Sequence, residues 1–120
     1  MFSDKVNDLI GKPYDIANYN CWHLVMELVD HAPDIDKVAT MSVGLRMMND
    51  TANWAGFKKV FTPQDGDIVV MGNHKNAYHH AGVYFNGGII HSDKPSVSFK
   101  NLDDMKKVYK EMRFYRYDKH

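Results

Sequence analysis

A single cysteine, Cys21, and the histidines His74, His79, His80 and His91 are the residues of this chain whose types could carry covalent chemistry. A thiol attacks only as its thiolate, so it needs a setting that loosens its proton and a base that takes it. Asn20 is a good N-cap, and Cys21, Leu24, Val25, Leu28 and Val29 follow at helical spacing, which predicts a helix beginning at the cysteine. The partial positive charge of a helix N-terminus favours thiolate over thiol, and its free N–H groups can hold an oxyanion. A buried, inert cysteine fits the same position equally well. With one cysteine, an intramolecular disulfide and a thiolate-rich zinc site are both excluded.

The histidines move the balance toward chemistry. Asn86-Gly87 between two apolar runs signals a two-residue hairpin loop. That register pairs Phe85 with Gly88, Tyr84 with Ile89 and Gly82 with His91, and alternation puts His80, Gly82, Tyr84, Ile89 and His91 on one sheet face. His80 and His91 become diagonal neighbours at roughly 7–8 Å, and Gly82 leaves the face between them open. Facing the tip of the Cys21 helix, they would supply a base and the residue that orients it. A loop one residue longer would reverse the parity. Strand histidines more often serve packing or the surface, and the group also suggests a metal site. Against a metal, His79 and His80 should point to opposite faces, and no acidic ligand sits at helical spacing, so none is expected. His23, His31 and His120 read as exposed or terminal, and Trp22 and Trp54 as core or groove-wall residues.

These side chains need elements to hold them. Ser3 can cap a short helix carrying Val6, Leu9 and Ile10, stopped by Gly11 and Pro13; residues 11–20 read as a loop. The Cys21 helix should end near His31, ahead of Pro33, and Ser42–Asn53 is a second expected helix. Strands are expected at Phe57–Phe61, Asp67–Met71, His80–Phe85, Ile89–Ser92, Ser96–Phe99 and Met112–Tyr117, with a helix over Leu102–Val108. Helices followed by a strand meander predict an α+β fold, N-terminal helices on an antiparallel sheet, in one domain spanning 1–120. Fifteen basic residues balance fifteen acidic ones, which gives no whole-chain attraction to nucleic acid or anionic membrane. The start of the chain lacks a secretory pattern and no apolar run reaches the ~18 residues of a membrane span; synthesis in the cytoplasm without a signal peptide is the expectation.

Taken in order, Gly11-Lys12-Pro13-Tyr14, Asn20-Cys21-Trp22-His23-Leu24-Val25, Pro63-Gln64-Asp65-Gly66-Asp67-Ile68-Val69, His80-Ala81-Gly82-Val83-Tyr84 and Ile89-Ile90-His91-Ser92 resemble the NlpC/P60 family of papain-like cysteine peptidases. The resemblance runs over nearly the whole chain. It implies a papain-like fold and cleavage of amide bonds in peptidoglycan stem peptides, without metal or organic cofactor. By matching position, Cys21 would be the nucleophile, His80 the general base, His91 the orienting third residue, and Tyr14 a group near the thiolate and oxyanion. The common bacterial form has Asp-Cys-Ser-Gly at the nucleophile. The Cys-Trp-x-Leu-Val version here looks like the phage-tail members, which implies a virion-associated setting with tail proteins as partners. Two other functions suit such a fold: a catalytically silent structural tail component, and a papain-like thioesterase or acyltransferase. In the expected mechanism a thiolate–imidazolium pair forms, and activity declines as pH falls toward ~6, where a free histidine protonates.

Overall fold

The computed structural model describes residues 2–32, 53–54, 56–74 and 77–117. The helix expected over Ser42–Asn53 lies outside these residues, except for Asn53, which is in a strand.

Helix α1 spans Phe2–Leu9 and buries Val6. It includes Ser3, so this serine is not the N-cap expected of it. Helix α2 is Cys21–Leu28, with Asn20 as its N-cap as predicted. The Asn20 side chain accepts from the N–H groups of Trp22 and His23, while the His23 Nδ1 accepts the Asn20 N–H at 3.1 Å. This reciprocal cap gives His23 a structural task that its sequence position did not suggest. The helix ends at Leu28 rather than near His31, because Val29 is already extended and His31 takes a left-handed φ of 70°.

Seven strands follow: β1 Asn53–Trp54, β2 Phe57–Val60, β3 Ile68–His74, β4 Ala77–Phe85, β5 Gly88–Ser92, β6 Val97–Asn101 and β7 Glu111–Tyr117. Helix α3, Leu102–Val108, lies between β6 and β7. The strands form one antiparallel sheet in the order β1-β2-β7-β3-β4-β5-β6. This is the α+β architecture expected, with one addition. Helix α2 covers one face through Trp22, Leu24 and Val25 against Ile68, Val70, Ala81, Val83, Ile90 and Tyr115. Helix α3 covers the other through Met105, which packs with Val69, Met71 and Ile89. Central strands covered on both faces read as continuous apolar runs, as Ile68-Val69-Val70-Met71 does.

Asp67, which ends the Pro-x-x-Gly-Asp run, locks the front of the sheet. Its carboxylate takes the Arg116 Nε and Nη2 at 2.9 and 2.8 Å and the Gln64 N–H at 2.7 Å, and its carbonyl accepts the Tyr84 N–H at 2.8 Å. The turn before β3 and strand β7 are therefore pinned at one buried carboxylate, and strand β4 at the carbonyl of the same residue.

Candidate functional site

The β4–β5 hairpin has the predicted register, with Phe85 opposite Gly88 and Tyr84 opposite Ile89, and Asn86 and Gly87 both at positive φ. His80 and His91 accordingly share a face. The face is not the one α2 covers: Val69 and Met71 pair with Gly82 and His80, and belong to the cluster beneath α3. The thiol of α2 reaches β4 through the backbone next to His80. The Tyr84 N–H and C=O bond to Asp67 and Gly66, so alternation turns the Ala81 N–H toward β5. Regular β4–β5 pairing reaches only Val83 opposite Ile90. Beyond that pair the Ala81 N–H hydrogen-bonds the Cys21 sulfur. The sulfur thus lies against β4, one peptide unit from His80.

His80 is held from three sides. Its Nε2 lies 2.9 Å from the His91 Nδ1, the two rings meeting edge to face. The Tyr109 ring stacks on it at 5.6 Å between centroids and 19° between planes. A β-bulge fixes where it points: Met71 pairs with His80 but Gly72 with Tyr78, leaving His79 unpaired. His79 then also lies against Tyr109, at 5.6 Å, so the two histidines do not diverge to opposite faces as strict alternation had implied. Gly82 differs from expectation as well. A Cβ there would come within 2.7 Å of Ile89 Cγ2 and Ile90 O and 3.2 Å of His91 Cβ, so the missing side chain is what admits β5 and His91.

The loop at residues 11–14 closes the other side. Gly11 N–H donates to Val97 O, Val97 N–H to Lys12 O and Tyr14 N–H to Pro95 O, which adds this segment to the sheet edge before β6. Tyr14 is brought near enough for a charge on Cys21 or Asp93 to raise its phenol, though its own burial contributes more.

Burial dominates the electrostatics. Cys21 is 2% exposed, and desolvation lifts its thiol to about 11. The N–H groups of Ala81, Cys21 and Trp22 work against that, and Asp93 with it. His80, 7% exposed, is held down to about 4 by desolvation, then by the charge of His91. Burial lowers His91 too. Burial therefore works against both charged forms, the thiolate and the imidazolium. Half-buried Tyr14 and Tyr109 and exposed Asp93 place the sulfur one side chain below the surface.

With His80 Nε2 engaged by His91, the remaining Nδ1 is the nitrogen available to the thiol. Asn20 occupies the N–H groups of Trp22 and His23 at the helix tip. Among the described residues, His80, His91 and Asp93 offer three metal-ligating atoms within 4.8 Å. The 2.9 Å between the two ring nitrogens is a hydrogen-bond length. Tyr109 and Asp93 were missed in the sequence. Asp93 shares the parity of His91 and could have been found by extending the alternation; Tyr109 follows α3 with no motif to mark it.

No family model matches the sequence, and no curated protein matches it. Among solved structures, the chain is similar to the NlpC/p60 domain of the peptidoglycan hydrolase SagA, with a TM-score of 0.57 and 14% identity over 94% of each chain. At that identity the likeness shows the fold, which is that of the family whose motifs this sequence resembles.

Proposed function

We propose that this chain is a cysteine peptidase that hydrolyses amide bonds in peptidoglycan stem peptides, with Cys21 as nucleophile, His80 as base and His91 as its orienting partner. The observation that carries this reading is the contact of the Cys21 sulfur with the N–H next to His80, whose far nitrogen lies 2.9 Å from His91. A scaffold has no chemical need for a thiol, a base and an acceptor in series.

The His80 Nε2–H donates to His91 Nδ1, which fixes the tautomer and leaves Nδ1 to take the thiol proton. Proton transfer and attack on the carbonyl occur together, because the buried site disfavours a standing ion pair. The Cys21 N–H and the Tyr14 hydroxyl stabilise the oxyanion; loss of one such donor typically costs on the order of 3 kcal/mol in barrier height. His80 returns the proton to the leaving amine, and water releases the acyl group. Since burial keeps His80 neutral down to about pH 4, the acid limb of activity falls well below the ~6 of a free histidine.

The Cys-Trp-x-Leu-Val run supports a phage-tail setting, in which the chain would act as a tail-associated lysin beside tail proteins. Purified protein incubated with peptidoglycan tests the reading. Released stem-peptide fragments that disappear with Cys21→Ala support it; no fragments, with a thiol still reactive to iodoacetamide, favour the scaffold or a thioesterase on the same fold.

A further inference from the structure

The site holds one charge that the mechanism above does not use, the carboxylate of Asp93. It leads out of β5 two residues after His91, is exposed, and brings an oxygen within 4.8 Å of ring nitrogens of both His80 and His91. It accepts the Lys94 N–H at 2.8 Å, and no lysine or arginine among the described residues forms an ion pair with it. Its field raises Cys21, Tyr14 and Tyr109 and opposes the lowering of His80 and His91 by burial. The other charged or titratable groups nearby act elsewhere: Asp15 on Tyr14, Lys100 on His91 and His79 on His80. The Asp15 carboxylate is already occupied by the Ala17 and Asn18 N–H groups. Among the described residues, Asp93 is the side-chain charge that bears on the Cys21 sulfur.

An anion with no cationic partner among the described residues, set against His80 and His91, works against the Cys21 thiolate unless something neutralises it. We propose that Asp93 is the charge-selecting residue of this site, favouring reactants that carry an ammonium group beside the bond Cys21 attacks and disfavouring anionic ones. A cation seated on Asp93 cancels its field at the moment the thiolate forms, so docking of the right ligand itself activates the nucleophile. Resting on the peptidase reading, the natural substrate is a stem peptide with a free amino group next to the scissile amide. Charge selection itself is a property of the surroundings of Cys21 and can be measured without that reading.

The test uses two thiol reagents of similar size, cationic 2-aminoethyl methanethiosulfonate and anionic 2-sulfonatoethyl methanethiosulfonate. Each forms a mixed disulfide with the thiolate and expels methanesulfinate, and with one cysteine in the chain the product reports Cys21 alone. The ratio of cationic to anionic rates, normalised to 2-mercaptoethanol, should be about tenfold or more at low ionic strength. It should fall toward unity in Asp93→Asn, persist in Asp93→Glu, and collapse for the unaltered protein near 1 M salt, where the screening length is about 3 Å. An equal ratio in the unaltered protein and Asp93→Asn, or failure of both reagents to reach Cys21, overturns the proposal. If the ratio behaves as stated but peptidoglycan stays intact, the peptidase reading fails alone. If peptidoglycan is cut and the ratio is indifferent to Asp93, charge selection fails alone.

Discussion

Replacing His80 with glutamine should remove a large part of the acid sensitivity of the fold, and the size of the effect follows from burial. In the unfolded chain His80 takes up a proton near pH 6.5; in the native state desolvation and His91 hold it down to about 4. Above 6.5 the ring is neutral in both states and contributes nothing to pH dependence. Between 6.5 and about 4 the unfolded chain binds a proton the native state refuses, so stability falls as pH falls. Below about 4 both states are protonated and the loss levels off. At about 1.4 kcal/mol per pH unit, that interval amounts to about 3 kcal/mol. Glutamine keeps a polar partner for the His91 Nδ1 but cannot titrate. Urea unfolding followed by the fluorescence of the fully buried Trp22 should therefore give, between pH 7 and 4, a stability loss about 3 kcal/mol smaller in His80→Gln. His91, also lowered by burial, stays in both proteins and adds the same slope to each. Parallel pH–stability curves would refute the argument, because they would mean that His80 protonates in the native state as easily as in water.

Gly82→Ala should lower stability by about 1–3 kcal/mol and reduce activity with it, since the new methyl meets the Ile90 carbonyl and His91 Cβ; thermal melts and peptidoglycan turnover check both. Asn20→Ala should cost about 1–2 kcal/mol by uncapping α2 and should slow turnover through the position of Cys21, read by chemical unfolding beside an activity assay. Arg116→Ala strands a carboxylate that is 3% exposed, and should cost about 3 kcal/mol or more in chemical unfolding.

Elements were legible where local rules decide them. Helix α3 matches its expected bounds and the Asn-Gly hairpin its register, because a cap, a turn and period-2 alternation act within a few residues. The α2 cap was legible for the same reason. What sequence missed is long-range. A bulge at His79 depends on how β3 and β4 are matched, so nothing in the His-His pair shows that both rings face Tyr109. Gly82 read as open space because the closeness of β5 is a tertiary fact. A helix tip favours an acidic thiol locally, but burial of Cys21 in the core raises the thiol instead, a tertiary effect. Asp67 carries no chemistry of its own; it is the anchor that sets β3, β4 and β7 around the site.

Covalent chemistry at Cys21 is best tested by acid-quenching a reaction with a purified stem peptide and measuring the mass of the protein. The acyl half of the substrate should appear as a thioester on the peptide containing Cys21, and in neither Cys21→Ala nor His80→Gln. Fragments produced with no adduct on Cys21, or produced equally by Cys21→Ala, would contradict the assignment of the nucleophile.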